Sequence, residues 1–373
     1  MRIAFITDTF HPMVDGITRT STALGAGIEN IGHEVHYWAV TTRWNASYPD
    51  TTYYLGTAFP PYPDYAINIF SPSFESSILG FAPDIIHIQS PGGLGLQALD
   101  IAKRNRIPCV FTYHTNLIAQ MHYLPFSKYL SPAYKHLIRV AVRHFSETCG
   151  TMLAPSRYAQ NLLREFGIRG RIIPNAVDTV RFSKKRKNGS FFADLVGAKH
   201  DKTVLVVGRV ISEKNLDAAL LAAQELVSET SFIFVGTGPY EKVLRRKAQE
   251  KDLLGKNVFF CGRVDDETLV DCYSNASLLF FPSEYDTFGL VAVEALACGL
   301  SVVAPAGSAQ MEIYDKTGVT SYKPGKEIDT IRNVLEAKVK IPTTVINGIR
   351  KKYDKKNVAN AHLRVYRDII EKG

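Results

Sequence analysis

Two cations and two carboxylates carry most of the chemistry legible in this chain. Arg209 and Lys214 follow the apolar run at 203–207. A planar guanidinium and an ammonium on one strand-to-helix turn can share a diphosphate, a doubly charged leaving group. Asp286 and Glu294 lie within FPSEYDTFGLVAVEALACGLSVVAPAG, residues 281–307, with seven residues between them. Residues 289–297 have helical apolar spacing, and Gly299 is placed as the glycine that ends the helix. Thr287, Phe288 and Gly289 then fall at the helix N-terminus, where backbone N–H groups and a positive dipole attract an anion or a sugar hydroxyl. A blander reading makes Asp286 a helix cap and Glu294 a solvated helix residue. Glu294 is flanked by Val291, Val293, Ala295, Leu296 and Ala297, which argues instead that it is drawn toward a lined cleft.

The elements that must position these groups alternate. Residues 3–7 read as a strand ending at Asp8-Thr9, followed by a loop at 10–16 and a helix at about 17–31. Gly16 would let a diphosphate approach the backbone N–H groups at that helix start, or it is needed only for the turn. The loop lacks the G-x-G-x-x-G pattern of a dinucleotide site. Further strands are expected at 33–40, 84–89 and 108–113, the last ending in His114-Thr115, with a helix at about 94–104. Residues 41–82 read as irregular with short strands. After a strand ending at Ala154 and a helix from Pro155-Ser156, residues 171–175 look like a crossing between domains. The second half repeats the pattern, with strands at 203–207, 232–235, 258–261 and 278–281, and a mostly helical end at 340–373. This alternation predicts α/β architecture with doubly wound parallel sheets.

The length, 373 residues, suggests two domains, and 46% hydrophobic with 21% charged residues is ordinary globular composition. Met1-Arg2 runs straight into a strand, so no signal peptide is expected, and no apolar run is long enough to span a bilayer. Five scattered cysteines read as reduced thiols of a cytosolic protein, without metal spacing. The absence of an Asp-x-Asp sequence leaves no evident metal handle, and neither a metal nor another cofactor is expected. The net charge of +8 favours an anionic partner. No recognition motif points to nucleic acid, and the basic run 184–187 reads as a solvated loop. Residues 101–146 hold seven cations and no acid. From Tyr123 to Phe145, Lys128, Lys135, Arg139 and Arg143 alternate with apolar residues, which fits either a basic amphipathic helix resting on anionic lipid or a core helix with a solvated basic face.

Several segments together resemble the retaining, nucleotide-sugar-dependent glycosyltransferases of family four. They are PMVDGITR at 12–19, Tyr113-His114-Thr115, PNAVD at 174–178, Gly208-Arg209 with Glu213-Lys214-Asn215, Gly236-Thr237-Gly238, and the 286–299 block. They occur in the family's order over most of the chain. YHT followed by His122-Tyr123-Leu124-Pro125 looks most like enzymes that glycosylate diacylglycerol. The resemblance implies the GT-B fold, two Rossmann-like domains facing a central cleft. Residues 1–175, joined by the last helix at about 355–373, would bind the acceptor, and 176–354 the nucleotide-sugar. Carried over by position, Arg209 and Lys214 would hold the donor diphosphate, helped by Gly16. Glu294 would bind the ribose, while Asp286 and the backbone at Phe288, Gly289 and Leu290 would hold the sugar. His114 would lie near the reacting centre, and the turn at Arg263 and Val264 would meet the base. The sequence departs from the family's first loop, with Asp15-Gly16 for a double glycine. It also has Asp286 where a glutamate is common, with Glu284 nearby as a substitute.

The expected reaction is transfer of a hexose, from UDP-glucose or GDP-mannose, to a membrane glycerolipid such as 1,2-diacylglycerol. It would proceed with retention and without metal, at the inner face of the cell membrane. A soluble acceptor (a sugar or inositol) and a sugar-nucleotide epimerase are the alternatives.

Overall fold

The computed structural model describes residues 1–59, 62–119, 127–313 and 318–372, with backbone alone at 59, 62–64 and 127–131. The chain forms two compact units: residues 1–177 with 354–373, and residues 178–353.

The first unit runs β1 (Arg2–Thr7), α1 (Gly16–Glu29), β2 (Glu34–Thr41), β3 (Thr51–Leu55), β4 (Thr57–Phe59), β5 (Tyr62–Ile67), α2 (Phe74–Phe81), β6 (Ile85–Ile88), α3 (Gly93–Asn105), β7 (Cys109–Thr112), α4 (Ser127–Cys149), β8 (Met152–Ala154), α5 (Arg157–Glu165) and β9 (Arg171–Ile172). Its sheet has the order β3-β2-β1-β6-β7-β8-β9, every pairing parallel. β1, β6 and β7 are buried on both faces, so they read as continuous apolar runs rather than alternating ones. The stretch expected to be irregular, 41–82, contains the helix α2. Its core contacts are Phe74 and Ile78, one turn apart in a Ser-rich segment, which leaves too short a periodic signal to stand out.

The second unit runs α6 (Phe191–Val196), β10 (Lys202–Val207), α7 (Leu216–Glu225), β11 (Thr230–Val235), α8 (Glu241–Glu250), β12 (Val258–Gly262), α9 (Asp266–Asn275), β13 (Leu278–Phe280), α10 (Leu290–Ala297), β14 (Val302–Pro305), β15 (Val319–Tyr322), α11 (Glu327–Ala337) and α12 (Thr343–Tyr353). Its sheet is also parallel throughout, in the order β12-β11-β10-β13-β14-β15. The basic loop is solvated as expected, with Lys184 and Arg186 exposed, but it is also anchored. Lys185 pairs with Asp271 at 3.1 Å, and the backbone N–H groups of Lys185 and Asn188 donate to Ser274 and Asn275. Acidic and polar side chains on and beside α9 therefore hold the loop down.

The last helix, α13 (Lys355–Ile370), belongs to the first unit and packs along α1. Val358, Leu363 and Tyr366 join Ile3, Phe5, Leu24 and Ile28 in one core cluster. Full burial of each such aliphatic side chain contributes roughly 1.5–3 kcal/mol. The close approach depends on Gly27: a Cβ there would lie 2.4 Å from the backbone oxygen of Lys355.

Both sheets reverse their strand order once, between β1 and β6 and between β10 and β13. Loops leaving the carboxyl ends of such neighbouring strands splay apart, and ligands of open α/β sheets bind in the crevice they leave.

Candidate active site

At the reversal in the second unit, the two loops meet through an ion pair. Lys214 ends a short 3-10 turn (Ser212–Lys214) after β10, and Asp286 lies in the loop after β13. Lys214 Nζ donates to both carboxylate oxygens of Asp286, at 2.6 and 2.5 Å. About a quarter of each side chain remains exposed, so the pair is desolvated yet reachable. Arg209 and Lys214 line one small pocket with Gly208, Phe281, Pro282 and Ser283. The Lys214 ammonium also lies 5.4 Å from the centre of the Phe281 ring. Asp286 is therefore not a helix cap. The cap position belongs to Gly289, which holds φ +87°, and a Cβ there would lie 2.7 Å from the Gln310 amide nitrogen. Only glycine tolerates both that dihedral and that approach.

From Gly289 the chain enters α10, which ends with Gly299 at φ +78°; the Gly299 and Leu300 N–H groups donate back to Leu296 and Ala295. Glu294 is 2% exposed, which rules out the solvated reading. Its Oε2 accepts the hydroxyl proton of Tyr273, on α9, at 2.8 Å. Phe288 is buried, with its ring 5.6 Å from that of Tyr353, and Leu290 opens α10 half-buried. Arg263 is exposed and Val264 half-buried in the turn after β12, the edge strand of the sheet. The structure thus gathers Arg209 and Lys214 at one pocket and pairs Asp286 with Lys214. Glu294 is held in the core of α10, and Arg263 and Val264 stand at the strand two places from β10.

The reversal in the first unit is built with the opposite charge. Asp8, just after β1, accepts from the Ser90 hydroxyl at 2.6 Å and from the Gly92 N–H at 2.8 Å, in the loop after β6. Burial pushes its pKa up, against the hydrogen bonds it accepts. Asp15 caps α1, accepting from the Thr18 N–H at 2.8 Å, and the Tyr65 hydroxyl donates to it at 3.1 Å. The helix end at Gly16 therefore already carries an internal carboxylate. His114 follows β7, with Nε2 2.7 Å from Gln89 Oε1. Burial first, and then the neighbouring His362, lower its pKa to about 3. Behind it, His87 sits between the Tyr366 and Thr112 hydroxyls, each at 2.6 Å, which ties α13 to the strand ends.

On α4, Val142 and Phe145 face the core, while Lys135, Arg139 and Arg143 are exposed together with Leu137 and Val140. The Lys128 side chain and residues 122–125 lie outside the described residues. Among those described, no helix is long and apolar enough to cross a membrane, and no cluster of three or more His, Cys, Asp or Glu is placed to hold a metal. All five cysteines are free. The sequence reading missed Tyr273 and Gln89. Tyr273 sits on another helix and gives no local signal, whereas Gln89 closes a visible strand.

Residues 14–181 match the family described as Glycosyltransferase Family 4, and residues 190–342 match Glycosyl transferases group 1. Together the two matches span both units. The chain belongs to the GT-B glycosyltransferases. This glycosyltransferase is 28% identical, over 82% of its own length and 71% of the relative's, to alpha-monoglucosyldiacylglycerol synthase of Streptococcus pneumoniae. It is 30% identical to the sulfoquinovosyl transferase SQD2 of Arabidopsis thaliana, over 70% of its own length and about half (51%) of that relative's. Among solved structures, Anabaena HepE in complex with UDP and glucose superposes with a TM-score of 0.77 at 16% identity, covering 99% of this chain and 100% of that one.

Proposed function

We propose that this glycosyltransferase moves a hexose from UDP-glucose to the free hydroxyl of a membrane glycerolipid such as 1,2-diacylglycerol, with retention at the anomeric carbon and without a metal. The observation that carries the donor half is the pairing of Lys214 with Asp286 beside Arg209, at the strand reversal of the second unit. Breaking a sugar–phosphate bond leaves growing negative charge on the diphosphate and positive character on the sugar. Arg209 and Lys214 supply fixed positive charge for the first. As the diphosphate draws the ammonium, Asp286 is released to accept sugar hydroxyls. Glu294 accepts ribose hydroxyls with Tyr273 holding its second oxygen, and the turn at Arg263–Val264 meets the base. The departing phosphate helps to take the acceptor's proton.

The lipid half is supported by the outward face of α4. There Lys135, Arg139 and Arg143 stand beside the exposed Leu137 and Val140. Each cation near an anionic surface adds about 1 kcal/mol of attraction. The Streptococcus relative, an alpha-monoglucosyldiacylglycerol synthase, supports the same acceptor class, and the UDP and glucose bound by HepE support the donor.

The test is a thermal-shift screen of sugar nucleotides, followed by nucleotide release with and without diacylglycerol vesicles. Stabilisation by UDP-glucose, lipid-dependent release undiminished by a chelator, and an α-linked product by NMR are expected. Release that ignores lipid, or an inverted product, overturns the corresponding part.

A further inference from the structure

We infer that the first unit carries an anion site away from the carboxyl ends of its strands, built from Arg143, Arg164 and Arg169, that takes a phosphate group. The inference does not depend on the transfer reaction proposed above. An open depression of about 670 Å³ is lined by Gln160, Arg164, Gly167, Ile168, Arg169 and Gly170. These residues belong to the end of α5 and the turn into β9. Because β8 and β9 run parallel, that turn lies at the amino ends of the strands, opposite the edge that carries Asp8 and His114. The turn is pinned. Gly167 holds φ +80°, its N–H donates to Arg164 at 2.9 Å, and the Ile168 N–H donates to Leu163 at 3.0 Å, in the left-handed turn that ends α5. The Gln160 side-chain amide donates to the Gly170 carbonyl at 2.7 Å. Arg143, on α4, stands at the side of the depression. Its Nε donates to the Phe166 carbonyl at 3.0 Å, and a Cβ on Gly167 would lie 3.7 Å from its Nη2.

The missing counter-charge separates this group from ordinary surface arginines. All three are exposed, and none pairs with a carboxylate among the described residues, whereas Arg171, two residues on, pairs with Asp368 at 3.0 Å. Arg143 satisfies a helix-end carbonyl, and Arg164 bonds Asn161 at 3.1 Å through Nη1. Each of these bonds uses one nitrogen of a guanidinium that has five N–H groups, so most of each fork stays available to a ligand. Planar forks match phosphate oxygens two at a time, which an ammonium cannot do. Cations around one depression with no acid between them repel, so a bound anion relieves that repulsion as well as forming contacts. The ligand chemistry is therefore a phosphate monoester or diester, carried by a soluble molecule or by a lipid headgroup. Lys135 and Arg139 lead to Arg143 in steps of four along the exposed face of α4, so the depression lies at the end of a basic row.

The test uses two probes on the full chain. One is sn-glycerol 1-phosphate, followed by phosphorus NMR. The other is sedimentation with phosphatidylcholine vesicles, with and without phosphatidylglycerol. Saturable binding of at least one phosphate probe is expected. Arg164→Gln combined with Arg169→Gln should weaken it about 10- to 100-fold, while the melting temperature in phosphate-free buffer holds or rises. Lys103→Gln combined with Arg106→Gln removes the same charge from exposed positions at the end of α3 and should leave binding within about twofold. Lys214→Ala, which takes a cation from the second unit's pocket, should leave it as well. Weakening seen with glycerol phosphate assigns the site to soluble phosphates, and weakening seen with the vesicles alone assigns it to a headgroup. Binding that survives the Arg164→Gln and Arg169→Gln pair, an equal loss in the α3 pair, or no saturable binding of either probe overturns the inference. None of these readouts requires sugar transfer, so failure of the proposed reaction would leave the site standing.

Discussion

The two units share a topology and differ in the charge at the same topological place. Where the second unit's sheet reverses, the loops meet as Lys214 and Asp286 beside Arg209. Where the first unit's sheet reverses, they meet as Asp8, Ser90 and Gly92, with the Asp15 carboxylate on the nearby helix end. A diphosphate placed at the first reversal would meet two carboxylates, and at the second it meets two cations. The fold supplies the crevice twice, and only the side chains at the strand ends assign it a ligand. The units also differ in their interiors. The first buries His87 and His362 and half-buries His114, in and behind the strand ends, whereas the second contains a single histidine, His200.

Acid should break this symmetry most strongly. All three histidines have folded pKa values below the ordinary 6.5, with burial as the first cause. The unfolded chain binds their protons more readily, so the stability they permit is complete above about pH 6.5 and falls as pH drops toward 4. Each histidine subtracts at most about 1.4 kcal/mol per pH unit in that window, several kcal/mol in sum. Calorimetry between pH 7.5 and 5 should show the first unit's unfolding transition moving down more than the second's. Parallel movement of the two would show that the buried histidines do not set the difference.

Lys214→Ala should come next in size. It removes the ammonium and leaves Asp286 part-buried without its partner. Loss of one preorganised charge at a developing anion typically costs about 10²–10³ in kcat, and a pair one-quarter exposed contributes much less to folding. Steady-state kinetics beside a melting curve decides it. A collapsed melting temperature with little kinetic change would make the second reversal structural, like the first. Tyr273→Phe should have the smallest effect. It takes one hydrogen bond from a buried carboxylate, for about 1–3 kcal/mol, and should raise the donor dissociation constant several-fold with little change in kcat. Unchanged donor affinity would separate Glu294 from the nucleotide.

Much of the fold was legible because a parallel sheet buried on both faces writes itself as short apolar runs between helical periods. β1, β6, β7, β10, β11 and β13 stand within a residue or two of their expected places, and Gly299 ends α10 by the left-handed turn its position implied. α2 was not legible, because two core contacts in eight residues carry little periodicity. Nor was the pinning of the basic loop, since its partners on and beside α9 lie 86 to 89 residues away.

The candidate site divides along the same physical line. The chain by itself singled out candidate side chains, because Arg209, Lys214, His114 and Asp286 each follow a strand and Glu294 is the one acid inside an apolar helical run. Tertiary structure alone decided their states. It set Lys214 against Asp286 across 72 residues of sequence, withdrew Glu294 from water onto the Tyr273 hydroxyl, and placed His114 on Gln89 with its charge suppressed. Desolvation and pairing depend on distances through space, and parallel strands bring together residues whose separation along the chain carries no such information.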